Sequence, residues 1–140
     1  MAPRPKSLEL KLILYRGSKR RLCIGDLYMD PGQLAYIVYG DLDVRAGKVP
    51  DPFSRFDAGS GPDNPVRDMR RQLKGVPVED QVGNHDLSTI WSAGSIKRFC
   101  SSLLFGTYFD VGGKKIGVFM PSKHAVELIK AWCRENGVKA

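Results

Sequence analysis

Leu8, Leu10, Leu12 and Leu14 alternate with Glu9, Lys11, Ile13 and Tyr15, the period-two pattern of a strand with one strongly apolar face. Gly17-Ser18 turns the chain, and Lys19 to Ile24 returns as a second strand, so an N-terminal hairpin is predicted. Asp30-Pro31-Gly32-Gln33 follows in the order of an N-cap, a first-turn proline and a capping-box partner. That order predicts a helix from Pro31 to Tyr39, although the Ile37-Val38-Tyr39 run suits a strand as well.

The C-terminal end repeats the theme. Thr107–Val111 and Lys115–Met120 are rich in aromatic and β-branched residues, and Gly112-Gly113 between them supplies a tight hairpin turn. After Pro121, Ser122 can cap a helix in which Ala125, Val126, Ile129, Trp132 and Cys133 recur at helical spacing, with Asn136-Gly137 as the stop. Two ββα-like units at the two ends are therefore expected, and such units are common enough that duplication does not follow.

Between them, residues 41–63 carry Gly47, Pro50, Pro52, Gly59 and several aspartates with no sustained period, which predicts a long loop. Asn64 as cap, Pro65 at the first helical position and Gly75 as stop bracket a short helix. Val66, Met69 and Leu73 share one of its faces. Arg67, Arg70, Arg71 and Lys74 repeat at i, i+3, i+4 and i+7 on a neighbouring face. A further amphipathic helix is predicted from Ser95 to Phe105, with Ile96, Phe99, Cys100, Leu103 and Leu104 inward and Lys97 and Arg98 outward. The expected fold class is α+β: a mostly antiparallel sheet built from two β-hairpins, with three to four helices on one face. A chain of 140 residues with 42% hydrophobic content suits one domain with one core.

Composition narrows the class further. No apolar run approaches the ~20 residues of a membrane span, and Glu9 and Lys11 interrupt the first one, so no membrane association or export is expected. Cys23, Cys100 and Cys133 are odd in number and lack metal-ligand spacing, which fits buried thiols in a reducing cytoplasm. The formal charge of +7 is unevenly placed: Asp26 to Asp63 holds seven acids against three bases, a net −4, so the rest of the chain carries +11. Such segregation favours a polyanionic partner, DNA or RNA.

No catalytic or cofactor motif emerges. His85 lies in Asn84-His85-Asp86 and His124 in the first turn of the last helix, neither with a second histidine at zinc-ligand spacing. Ser88, Thr89, Ser92 and Ser95 lack a nucleophile-elbow setting. Gly59-Ser60-Gly61 and Gly112-Gly113-Lys114-Lys115 lack the order of a phosphate-binding loop and are expected to be turns. Loop aspartates could hold a magnesium ion, which with His85 and Asp86 would make a metal-dependent hydrolase.

The better-motivated expectation is a non-enzymatic nucleic-acid-binding protein. Its contacts would be Arg16, Lys19, Arg20 and Arg21 at the first hairpin turn, Arg67, Arg70, Arg71 and Lys74 on the basic helix, and Lys114 and Lys115 at the second turn. Tyr15, Tyr28, Tyr108 and Phe109 lie near the turns as candidate stacking platforms. Lys114-Lys115-Ile116-Gly117-Val118-Phe119-Met120-Pro121, followed by a helix carrying Leu128 and Trp132, resembles the closing strand and helix of small transcriptional coactivators that bind single-stranded DNA. The rest of the chain departs from that family in size and order, so the resemblance implies no membership. A small inhibitor or adaptor protein of the plasmid or phage kind, docking on another protein through its segregated charge, is the alternative from a different class.

Overall fold

The leucine alternation forms β1 (Lys6–Arg16), which pairs antiparallel with β2 (Lys19–Asp30), and β2 pairs antiparallel with β3 (Gln33–Val44). The computed structural model describes residues 6–16, 19–44, 71–73, 76–102, 106–119 and 122–140, with the backbone alone at 6, 16, 19 and 41–44. A four-residue helix α1 (Val78–Gln81) and a 3-10 turn (Val82–Asn84) lead to β4 (Thr89–Ser92). Residues Ala93–Ser95 then connect to β5 (Ile96–Ser102), β6 (Gly106–Val111), β7 (Lys114–Phe119) and the long helix α2 (Lys123–Glu135). The seven strands make one sheet in the order β4-β3-β2-β1-β7-β6-β5, every neighbouring pair antiparallel.

Both predicted hairpins are present, as is the last helix. Ser122 caps α2 by accepting the Ala125 amide at 3.2 Å, and Gly137 follows its end at φ 72°. The balanced α+β class with three to four helices is overturned: the chain is mostly sheet, and α2 is the only helix longer than four residues among the fully described elements. The predicted loop at 41–63 is a strand through Val44, and its remainder lies outside the described residues. Residues 71–73 are helical, as the basic-helix expectation required. The rest of that helix, with Arg67, Arg70 and Lys74, lies outside them.

Two predicted helices are strands over their described residues, each for a definite reason; residues 103–105 of the second lie outside them. Over Pro31 to Tyr39 the proline and glycine make a turn instead of a helix start. Gly32 takes φ +81° there, as the third position of a type II turn requires, and proline suits the position before it. Leu34 to Tyr39 are then all buried, because β3 is covered on both faces and shows no alternation to mark it as a strand. Over Ser95 to Phe105, the register slips between Ile96 and Arg98. Such a bulge puts residues three apart on the same face and so imitates helical spacing. The N-terminal ββα unit is therefore a β-meander, and the two ends of the chain share three-stranded meanders, with β1 joined to β7 between them.

The sheet curls. Its edge strands β4 and β5 are linked by only Ala93–Ser95, and Trp91 on β4 meets Phe109 on β6, ring centroids 5.9 Å apart. The concave face holds Leu10, Leu12, Leu27, Leu34, Tyr36, Phe99, Phe109 and Val118, and α2 seals it with Ile129, Trp132 and Cys133. The end of α2 also clamps the β2–β3 turn: the Trp132 indole donates to the Asp30 carbonyl at 2.7 Å, and the Gly32 amide donates to the Asn136 side chain at 2.7 Å. On the convex side, Val78 and the partly buried Leu73 and Val82 cover Ala35, Ile37 and Tyr39 of β3.

Candidate nucleic-acid interface

Because β1 and β7 run antiparallel, with Lys11 opposite Phe119 and Leu12 opposite Val118, the end of β1 and the start of β7 emerge at the same end of the sheet. The two hairpin turns thus bring Arg16, Lys19 and Arg20 into the neighbourhood of Lys114 and Lys115. The Gly117 position faces the Ile13 side chain, which extends the register by one step. Carried two residues further, it sets Tyr15 level with Lys115.

Strand alternation then sorts the side chains. Arg20 is paired with Tyr15, Lys115 with Asp110, and Asp110 with Arg98. The convex face therefore carries a row across five strands: Arg20, Tyr15, Lys115, Asp110 and Arg98. Arg20, Lys115 and Arg98 are exposed, and none forms an ion pair with a carboxylate among the described residues. Asp110 sits between two of them with its buried Oδ1 making no hydrogen bond. The Arg20 guanidinium lies 5.8 Å over the Tyr15 ring, and the Lys115 ammonium 5.1 Å over Tyr108, within cation–π range.

Not every predicted contact joins this row. Arg21 points to the opposite face, half-buried, level with Asp43. Lys114 is exposed one residue from the row, on the concave side. Arg71 is exposed two residues before Leu73, which packs on the convex face. The side chains of Arg16 and Lys19 lie outside the described set. Arg98, expected on a helix, reaches the row from β5, opposite Asp110.

Of the four candidate platforms, Tyr15 alone is exposed, at 43%. Phe109 is fully buried against Phe99, ring centroids 4.9 Å apart. Tyr28 packs against the convex cluster of β3. Tyr108 is buried beneath Lys115, and a hydrogen bond with Cys100 raises its hydroxyl pKa above the ordinary value.

His85 belongs to a turn. Its Nδ1 accepts the Leu87 amide at 3.0 Å, its carbonyl accepts the Ser88 amide at 3.1 Å, and Asp86 Oδ1 lies 3.1 Å from the same Nδ1. An Nδ1 that accepts an amide proton leaves the ring hydrogen of neutral histidine on Nε2. Ser88 is buried, and its hydroxyl accepts the Val38 amide at 2.9 Å, extending the β3–β4 pairing by one bond. The described residues contain no group of three or more histidine, cysteine or acidic side chains placed to hold a metal ion. No described helix is long and apolar enough to cross a membrane. All three cysteines are free thiols.

Compared with protein-family models, curated proteins and solved structures, the chain finds no match in any of the three.

Proposed function

We propose that this protein binds nucleic acid without chemistry, laying the phosphate backbone across the hairpin-tip end of the sheet. The reading is supported chiefly by the convergence of Arg20, Lys114 and Lys115, from strands far apart in sequence, at one end of the sheet without ion-pair partners among the described residues. Arg98 extends the row, and Arg16, Lys19, Arg67, Arg70, Arg71 and Lys74 are further cations offered to the same partner, while Arg21 points to the opposite face. Binding would be driven by release of counterions from phosphate. Tyr15 would offer one ring on which a base stacks, a contact worth ~1–3 kcal/mol by alanine substitution in proteins that hold single strands. Free thiols throughout suit work in the reducing cytoplasm.

The test is fluorescence anisotropy with labelled DNA and RNA. The double charge reversal Arg20→Glu with Lys115→Glu is expected to weaken binding to all sequences alike, by ~tenfold or more at low salt. Both residues are exposed at strand ends, so the melting temperature should stay close to that of the parent protein. Absent binding, or binding indifferent to salt, would reject the proposal.

A further inference from the structure

Asp110 is the one carboxylate in the convex row, and it works against a phosphate. It lies on β6 directly between Lys115 of β7 and Arg98 of β5, yet neither cation forms an ion pair with it. Its Oδ1 is buried with no hydrogen-bond partner. An oxygen withdrawn from water without a donor costs stability, and a negative charge at that place weakens the pull of its neighbours on a polyanion. If Asp110 served only to neutralise the cations beside it, direct contact with one would be expected, since cross-strand neighbours are within reach of each other.

The position of the carboxylate is well fixed. β6 is laddered to β5 on one side and to β7 on the other, and β5 is pinned from its outer edge, where the Phe99 amide donates to the Lys139 carbonyl at 2.8 Å. On the opposite face Phe109 packs on Phe99. Lys115 and Arg98 therefore stand two strand spacings apart, about 10 Å between backbones, with the carboxylate midway. Asp110 is half-buried, and a turn about its Cβ–Cγ bond exchanges its two oxygens.

A sugar–phosphate backbone presents this row with alternating chemistry. Phosphate, bridging and ring oxygens only accept hydrogen bonds, so the backbone of DNA holds no donor for a carboxylate. Ribose adds one per nucleotide, the 2′-hydroxyl, and it lies between successive phosphates. Two cations flanking an open acceptor match that order. Over deoxyribose the same carboxylate would lose water and meet only acceptors and carbon.

We propose, resting on the nucleic-acid binding set out above, that the partner is single-stranded RNA, with Lys115 and Arg98 on successive phosphates and Asp110 accepting the 2′-hydroxyl of the ribose between them. Tyr15, on the far side of Lys115, then meets an unstacked base of the same strand, which a duplex would keep out of its reach.

Three labelled probes of equal length, base and charge separate the two proposals: oligouridine, oligodeoxyuridine, and 2′-O-methyl oligouridine, which keeps the ribose pucker and lacks the donor. By fluorescence anisotropy, oligouridine is expected to bind about tenfold tighter than either other strand, the worth of one hydrogen bond to a charged group. In Asp110→Ala that advantage should vanish while affinity for oligodeoxyuridine holds or rises, since a repelling charge has gone; the retained binding also reports that the variant is folded. Equal affinity of the unaltered protein for RNA and DNA, a preference kept by the 2′-O-methyl strand, or a preference that survives Asp110→Ala would overturn the assignment and leave backbone binding intact. Failure of all three strands to bind the unaltered protein would overturn both.

Discussion

Tyr36 fixes the centre of the sheet from a single hydroxyl. Its oxygen lies 2.8 Å from the Leu10 carbonyl and 3.0 Å from the Cys23 carbonyl, so one proton serves two strands beside the irregularity at Gly25. Tyr36→Phe leaves the ring packing alone and strips those buried carbonyls of their donor, so a loss of ~1–3 kcal/mol in denaturant unfolding is expected. Burial, with a contribution from Cys23, raises the Tyr36 pKa; burial and the Asp26 carboxylate, which accepts the Tyr39 hydroxyl at 3.1 Å, raise that of Tyr39. Burial likewise pushes the Cys133 thiol from 9.0 up to about 11. All three groups keep protons in the folded chain that the unfolded chain releases, so stability falls with rising pH between the two pKa values. Unfolding midpoints should be level with respect to these groups below about pH 9 and decline as pH approaches 11. A midpoint that rises over that interval would contradict this assignment.

At the scale of elements, Gly25 has the tightest constraint. A Cβ there would run into the Ile37 carbonyl oxygen, and that obstacle is backbone, not a side-chain tip that could swing away. Gly25→Ala should therefore cost more than the ~1–3 kcal/mol usual for overpacking, seen as a large drop in melting temperature. The same neighbourhood shows what the sequence could reveal. β1, β2, β6 and β7 were legible because one face of each pair alternates and a glycine marks each turn, and α2 because cap, period and stop agree. β3 was legible only as the strand alternative at Ile37-Val38-Tyr39, since burial on both faces removes alternation, and Pro31-Gly32 serves a turn as readily as a helix start. β5 was hidden by its bulge. The turn cations Lys19, Arg20, Lys114 and Lys115 could be picked out because charge beside a hairpin glycine is a local signal. Arg98 could not, since its place in the row depended on the strand assignment of β5.

For the whole molecule, the governing fact is that both hairpin tips lie at one end of the curled sheet. If the proposed binding holds, charge collected there acts together on a polyanion, and its signature is collective. Affinity for single strands should fall with salt by ~0.7 in log–log slope for each phosphate engaged, and each charge reversal in the row should reduce that slope by about one contact. Titrations of Arg20→Glu and Lys115→Glu at several salt concentrations measure this directly, and an unchanged slope would place the contacts elsewhere. The β1–β7 pairing that makes this end has a further cost during synthesis. The meander of β1, β2 and β3 leaves the ribosome first, and the outer edge of β1 stays bare until the chain past Phe119 has emerged. For that interval the nascent protein exposes a strand edge able to pair with another copy, so slow translation between Val44 and Lys114 would favour aggregation over the native sheet.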